Sequence, residues 1–241
     1  MKVIVTKNTD ELAAEALKVM LDVVKNNPSA VIGLATGSSP VGLYKKMIED
    51  HKLNGTSYKD IKSVNLDEYV GLGIESDQSY VYFMNDNLFK GIDIKPENTN
   101  LPNGKAADMQ KACEEYTALL NSMPQDIQLL GIGANGHIGF NEPNTPFDST
   151  THIVKLEEGT RRDNARFFAS LDEVPTHAIT MGIANIMNAK KILVVANGAN
   201  KAQAVYQMIK GEVSENCPAS ILQKHNDVVV VVDEAAYSLC K

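Results

Sequence analysis

Apolar residues recur along the chain in two spacings, short continuous runs and helical repeats, and the two alternate along its length. The runs predict buried strands, and the repeats predict amphipathic helices. Strands are predicted at Val3–Val5, Ala30–Ala35, Ile61–Leu66, Ile127–Leu130, His177–Thr180, Lys191–Ala196 and Asp227–Val232. Helices are predicted after an N-cap at Thr9 or Asp10, from Pro40, and over Tyr80–Phe89, Ala106–Asn121, Glu157–Leu171 and Asn200–Lys210. This alternation predicts an α/β protein with a mostly parallel sheet and helices on both faces.

The composition is that of a folded globular protein, with 44% hydrophobic and 22% charged residues in 241. A net charge of −7 argues against a nucleic-acid partner, so an anionic substrate would need a local cluster of donors. Cys113, Cys217 and Cys240 match no zinc or redox spacing and suit a reducing compartment. The sequence has no signal-peptide pattern and no apolar run long enough for a membrane, so we expect a cytoplasmic protein.

The segment Gly131–Pro143 is the most unusual stretch of the sequence. It follows the predicted strand Ile127–Leu130 and contains four glycines together with Asn135, His137 and Glu142. Glycine permits positive φ and proline disfavours helix in the residue before it, so a tight loop is expected here. Loops at the carboxyl ends of parallel strands commonly bind ligands, and a His and a Glu held there are candidates for acid–base catalysis.

The same segment matches the dinucleotide-binding pattern G-x-G-x-x-G through Gly131, Gly133 and Gly136. That pattern is weak alone and needs a helix that opens at the third glycine. Gly139 and Pro143 leave no room for such a helix, so nucleotide binding is disfavoured.

A second glycine-containing turn, Gly33–Pro40, joins a predicted strand to a predicted helix. Ser39 is a suitable N-cap and Pro40 a suitable first helical residue. The turn offers backbone N–H groups, the hydroxyls of Thr36, Ser38 and Ser39, and the positive end of a helix, a combination that binds phosphate. The alternative is a well-capped helix with no ligand.

The segment Asn65–Tyr69 ends a predicted strand with two carboxylates. Partial burial would raise the pKa of Asp67 and make it a general base, whereas the alternative is an ordinary turn aspartate. Two long irregular connections, Asp67–Ser79 and Pro143–His152, are either functional lids or surface excursions, and we favour the second as a lid.

Basic residues could complete an anion site. Arg162 and Arg166 are four residues apart and share a face of a predicted helix, and Lys201 follows a strand at the start of another. Each could also be a solvated surface charge. His137, Glu142, Asp67 and His152 could supply metal ligands, but they follow no ordered ligand pattern.

Five ordered motifs together resemble the glucosamine-6-phosphate deaminase (glucosamine-6-phosphate isomerase) family across nearly the full chain. They are Leu34–Pro40, Asn65–Leu72, Gly133–Pro143, Ala165–Phe168 and Asn200–Ala202. The resemblance implies a Rossmann-like single domain over residues 1–241. It implies conversion of glucosamine 6-phosphate and water to fructose 6-phosphate and ammonium in amino-sugar catabolism, by an aldose–ketose isomerase that also hydrolyses a C–N bond. It implies no organic cofactor and no metal.

The resemblance also assigns roles to residues. Asp67 would take the C2 proton and return one at C1. His137 would move a proton during ring opening, oriented by Asn135 and Glu142. The sugar phosphate would be held by Thr36, Gly37, Ser38, Ser39, Arg166 and Lys201.

Two departures from the family pattern alter these expectations. Many relatives have Asp where this chain has Asn135, so we expect Glu142 to stabilise the protonated imidazole instead. Longer relatives are hexamers activated by N-acetylglucosamine 6-phosphate through Arg and Lys ligands, where this chain has His152 and Val154. We therefore expect no allosteric activation and a monomer or small homo-oligomer.

Two other functions remain open on sequence. A 6-phosphogluconolactonase-like hydrolase would share the phosphate loop but would not need the base at Asp67. A non-catalytic sugar-phosphate sensor would usually carry an added DNA-binding helix pair and a basic face, and this chain is acidic.

Overall fold

The computed structural model describes residues 1–165 and 168–241. The strands are β1 Lys2–Thr6, β2 Val31–Leu34, β3 Lys62–Asn65, β4 Asp67–Tyr69, β5 Thr99–Asn100, β6 Ile127–Leu130, β7 His152–Lys155, β8 His177–Thr180, β9 Ile192–Ala196 and β10 Val228–Asp233. The helices are α1 Thr9–Asn26, α2 Val41–Asn54, α3 Tyr80–Asn87, α4 Met109–Ser122, α5 Glu158–Asn164, α6 Ile183–Met187 and α7 Ala202–Lys210.

The main sheet has seven strands in the order β1-β10-β9-β6-β2-β3-β5, and every pair in it is parallel. Its central strands β9 and β6 are buried along their whole length and are apolar apart from Gln128, as expected of a sheet covered on both faces. The predicted Rossmann-like α/β fold is therefore confirmed. Along the described chain, no helix combines the length and the apolar character needed to cross a membrane.

Right-handed connections distribute the helices over the two faces. The chain moves in one direction along the sheet from β1 through β2 and β3 to β5, and then returns from β5 through β6 and β9 to β10. Helices α1, α2 and α3 therefore lie on one face and pack in sequence, whereas α4, α6 and α7 belong to the other.

The direction in which successive strands are added to the sheet reverses between the neighbouring strands β2 and β6, which are themselves parallel. The connection from β2 leads toward β3, and the connection from β6 leads toward β9, so the loops after the two strands diverge. A crevice at such a reversal is where open parallel sheets bind ligands. The two loops that border this crevice contain the glycine-rich segments Gly33–Pro40 and Gly131–Pro143.

A second, three-stranded sheet departs from the prediction that strands and helices alternate throughout. It is antiparallel, in the order β4-β8-β7. Strand β8 has the predicted position but belongs to this sheet, β4 lies in a stretch expected as an irregular connection, and β7 was not predicted. Strand β4 forms because β8 pairs with it over a long sequence separation, and the bond from Met181 N–H to the Leu66 carbonyl (2.6 Å) extends that pairing.

Several predicted helix ends are wrong. Helix α1 is capped by Asn8, whose side chain accepts the N–H of Glu11, instead of by Thr9 or Asp10. The N-cap of α2 is Pro40, so Ser39 is not its cap. Helix α5 ends at Asn164 and is much shorter than predicted.

Candidate active site

A cavity of about 170 Å³ opens at the crevice between β2 and β6. Walls come from the loop after β2, the segment after β3, the loop after β6, helix α5 and the turn before α7. The predicted site residues that line it are Thr36, Gly37, Ser38, Ser39, Asp67, His137 and Lys201.

The loop after β2 is held in place by the helix that follows it. The Tyr44 hydroxyl of α2 donates to the Ala35 carbonyl and accepts the Ala35 N–H at 3.2 Å. Gly37 has φ of 88°, in the left-handed region that glycine tolerates best. Because Pro40 has no side-chain acceptor, the first-turn N–H groups of α2 keep their capacity to bind an anion.

The turn before α7 brings Lys201 to the same cavity. Gly198 has φ of 92°, and its N–H donates to both carboxylate oxygens of Asp233 at 3.0 Å. Asp233 ends β10, so the neighbouring strand fixes the start of this turn. The turn therefore adds a cation to the edge of the cavity formed by the loop after β2.

Asp67 lies at the start of β4, is only 6% exposed, and lines the cavity. Burial, and then the neighbouring Glu68 carboxylate, raise the pKa of Asp67 to about 8. A Cβ added to Gly139 would lie 3.7 Å from Asp67 Oδ2, so the loop after β6 passes close to this carboxylate. A carboxyl group with this pKa can exchange protons near neutral pH.

Glu68 attaches this strand to helix α3. Its Oε1 accepts the N–H of Tyr69 at 2.8 Å and of Tyr80 at 2.9 Å, and its Oε2 accepts the N–H of Val81 at 2.9 Å. Tyr80 in turn stacks on Phe140, with ring centroids 6.2 Å apart. Both rings line the cavity and form an apolar wall beside Asp67.

His137 lies across a tight turn of the loop after β6. The turn closes through the bond from Gly133 N–H to the His137 carbonyl (2.9 Å) and is aided by Gly136, whose φ is 87°. A Cβ on Gly133 would lie 2.3 Å from the imidazole, so the ring packs directly on that glycine. The close approach fixes the ring in the cavity wall.

Asn135 and Glu142 lie behind the imidazole and do not line the cavity. His137 Nδ1 is 3.4 Å from Glu142 Oε2, the distance of an ion pair once the ring is protonated. Asn135 Nδ2 donates to the same oxygen at 2.7 Å, and Asn135 Oδ1 accepts the backbone N–H of His137 at 3.2 Å. Asn135 thus acts on the ring through the carboxylate and the backbone.

Glu142 is as buried as Asp67 but has the opposite pKa shift. Burial raises its pKa, but His137, together with the hydrogen bonds from Thr160 and Asn135, outweighs burial and lowers the pKa to about 2. The Thr160 hydroxyl of α5 donates to Glu142 Oε1 at 2.6 Å. Glu142 is therefore an anion that can stabilise a proton on the neighbouring ring.

The geometry brings together most of the residues selected from the sequence. Arg166 lies outside the described residues. Tyr80, Phe140 and Thr160 line the cavity but were not selected, because their roles depend on contacts between distant segments that no local pattern reveals.

The possible metal ligands His137, Glu142, Asp67 and His152 do not form a metal-binding group in the structure. Within residues 1–165 and 168–241, no three His, Cys, Asp or Glu side chains are grouped so that they could hold an ion. His152 lies on β7, where its Nδ1 is 2.8 Å from the Thr150 carbonyl, and it does not line the cavity.

Fold and cavity together define an α/β protein with a cavity lined by an aspartate, a histidine and a lysine at the switch point of a parallel sheet. The family model for glucosamine-6-phosphate isomerases/6-phosphogluconolactonase matches residues 6–231. The chain belongs to this family.

Individual relatives agree with this assignment. The chain is 50% identical over 240 residues to the glucosamine-6-phosphate deaminase of Clostridium botulinum (strain Alaska E43 / Type E3), covering 99% of this chain and 96% of the relative. It is 50% identical over 237 residues to that of Halalkalibacterium halodurans, covering 98% and 96%. Both matches extend along almost the whole chain.

Solved structures give the same picture. A monomeric glucosamine-6-phosphate deaminase superposes with a TM-score of 0.97 at 48% identity, covering 99% of this chain and 100% of that one. A 6-phosphogluconolactonase from Trypanosoma brucei superposes with a TM-score of 0.80 at 19% identity, covering 98% and 97%. The second likeness shows the shared fold alone.

Proposed function

We propose that this chain catalyses the isomerising deamination of glucosamine 6-phosphate with water to fructose 6-phosphate and ammonium. The observation that carries the proposal is that Asp67 and His137 line one small cavity together with a phosphate-type loop. The 50% sequence identity to two glucosamine-6-phosphate deaminases, over almost the whole chain, supports the same activity. We assign the whole reaction to a single domain that spans residues 1–241.

The substrate's phosphate is held, in this proposal, by the loop after β2 and by basic side chains. The N–H groups at the start of α2, the loop hydroxyls and the Lys201 ammonium suit a dianion. The residues assigned to this task are Thr36, Gly37, Ser38, Ser39, Arg166 and Lys201. Binding a group remote from the reacting carbons contributes free energy for positioning them.

Ring opening is assigned to His137. Because Nδ1 lies toward Glu142, Nε2 is the nitrogen that takes the C1 hydroxyl proton and delivers a proton to the ring oxygen. The imidazolium formed between the two transfers is stabilised by the Glu142 carboxylate. Asn135 holds that carboxylate in place.

Proton transfer between C2 and C1 is assigned to Asp67. The C2 ammonium of the substrate favours the ionised carboxylate and makes the C2 proton more acidic. Asp67 takes this proton while a proton of the C2 ammonium passes to the C1 carbonyl oxygen, which gives a neutral enol amine. Asp67 then returns its proton at C1, which leaves an iminium at C2. Water then adds to the iminium carbon at C2, and ammonia leaves as the ketone forms.

The proposal requires no nucleic acid, membrane, organic cofactor or metal. We expect a monomer or small homo-oligomer in the cytoplasm, without activation by N-acetylglucosamine 6-phosphate. A mass measurement in solution and a saturation curve with and without that compound test these points. A hexamer with sigmoidal kinetics that the compound abolishes would contradict them.

The activity itself is tested by incubating the purified chain with glucosamine 6-phosphate and measuring ammonium and fructose 6-phosphate separately. We expect equal amounts of the two products. Hydrolysis of 6-phosphogluconolactone without ammonium release from the amino sugar would favour the hydrolase alternative instead. Binding of sugar phosphates without turnover would favour a sensor.

A further inference from the structure

Helix α5 carries a threonine that donates a hydrogen bond to a distant element. Thr160 is only 9% exposed, and its hydroxyl donates to Glu142 Oε1 at 2.6 Å. The opposite side of the same helix is solvated, where Glu158 and Arg162 form an exposed ion pair. Threonine is a weak helix former, so its place in so short a helix is not explained by helix stability.

The bond from Thr160 completes the set of contacts around the Glu142 carboxylate. Oε2 receives Asn135 Nδ2 and lies nearest to His137, whereas Oε1 receives Thr160. A carboxylate held at both oxygens cannot rotate freely. Thr160 therefore determines which way Oε2 faces and keeps it directed at the imidazole.

Helix α5 is itself anchored on a second element. The Arg161 guanidinium donates through Nη2 to the carbonyls of Leu171 at 3.0 Å and Val174 at 2.9 Å. The helix therefore has a defined position against the turn at residues 171–174. That position is what brings the Thr160 hydroxyl to the carboxylate.

We propose that Thr160 is a positioning residue for ring opening, acting through Glu142 on His137. The proposal rests on the proposed function, because it assigns Thr160 to one step of that reaction. The hydroxyl transfers no proton to the substrate. Its task is to hold the Glu142 carboxylate in the orientation that stabilises the imidazolium.

A double-mutant cycle tests this assignment, because residues that act through one another have non-additive effects. T160V removes the hydroxyl and keeps the shape of the side chain. We expect T160V to lower kcat for glucosamine 6-phosphate by about 10-fold, and T160S to restore it to within about 2-fold of the unmodified protein. On an E142Q background, T160V should lower kcat by less than about 2-fold.

T56V is the matched control. Thr56 is buried to a similar extent and lies beside the buried carboxylate of Asp50, away from the cavity. This variant should keep kcat within about 2-fold of the unmodified protein. Thermal unfolding of all the variants identifies any that fail to fold, and T160A, which also lacks the hydroxyl, replaces T160V if that variant does not fold.

An unchanged kcat in T160V would overturn the proposal. So would an equal loss from T160V in the presence and absence of E142Q, because the threonine would then act independently of the carboxylate. Absence of ammonium release from the unmodified protein would instead contradict the proposed function, so the two failures are distinguishable.

Discussion

Asp67 and Glu142 are both 6% exposed beside the same cavity, yet their pKa values shift in opposite directions. Burial and a neighbouring carboxylate raise the pKa of Asp67 to about 8. A histidine and two hydrogen-bond donors lower the pKa of Glu142 to about 2 despite burial. Burial alone therefore does not determine the charge of a carboxylate. The charged groups and hydrogen-bond donors around it decide whether its pKa rises, as for Asp67, or falls, as for Glu142.

Replacing the high-pKa carboxylate tests one side of this comparison and should have the largest effect. In D67N the side chain keeps its shape but accepts no proton, so we expect kcat to fall by about 1000-fold or more. Ammonium release under steady-state conditions measures this. Binding of the open-chain alditol of the substrate should change little, which separates loss of the base from loss of the site.

An activity within about tenfold of the unmodified protein in D67N would contradict the assignment of the base, since general-base contributions are usually larger. The pH profile provides a second check. In the proposed mechanism the ionised form of Asp67 is the active one, so kcat/KM should rise with pH as the carboxyl of pKa about 8 loses its proton.

Replacing the low-pKa carboxylate should reduce kcat by less, because Glu142 is proposed to stabilise a charge and to exchange no proton with the substrate. We expect kcat of E142Q to fall by about 100-fold. Ring opening should then become slower relative to C2 proton transfer. The primary isotope effect of C2-deuterated substrate should therefore be smaller than in the unmodified protein.

A loss of activity in E142Q with a larger isotope effect would place Glu142 at the C2 step instead of ring opening. D67N is the matched variant, since it changes the other carboxylate to the corresponding amide. Isotope effects that change in opposite directions in the two variants would support the division of roles. Isotope effects that change in the same way would contradict it.

The donors that distinguish the two carboxylates can also be changed. In N135D the new side chain can still accept the His137 N–H but no longer donates to Glu142. Two adjacent carboxylates then compete for a proton, which raises the pKa of the pair. We expect kcat to fall by about 10-fold at neutral pH.

N135D also provides a pH test. The loss should shrink at lower pH, where one shared proton replaces the missing donor. An activity loss that is constant across the pH range would indicate that Asn135 acts through the shape of the loop instead. Kinetics over the pH range in which the folded protein is stable measure this.

Local patterns predicted the framework well, because buried runs bounded by turn residues are distinctive. The strand Ile127–Leu130 has the predicted bounds, and the two glycine-containing loops predicted after β2 and β6 both line the cavity. Asp67 was ambiguous because β4 exists only through pairing with β8, far along the chain. Thr160 was missed for the same reason, since its partner Glu142 belongs to another element.

The smallest expected effect is on stability, and it follows from the signs of the two shifts. The folded pKa of Asp67, about 8, lies above an unfolded value of about 3.9, so this group destabilises the fold increasingly as pH rises between them. The folded pKa of Glu142, about 2, lies below an unfolded value of about 4.3. Glu142 therefore contributes stability above the unfolded value, and this is lost as pH falls toward 2.

The two amide variants should consequently shift the melting temperature in opposite directions. D67N should melt about 2–4 °C above the unmodified protein at alkaline pH and approach it near pH 4, because the ionised carboxylate is removed where it is unfavourable. E142Q should melt below the unmodified protein at neutral pH, with a gap that narrows under acid. Thermal unfolding followed across pH measures both. If the two variants shifted in the same direction at every pH, a shared effect of the amide would explain the data, and burial would then act alike on both carboxylates.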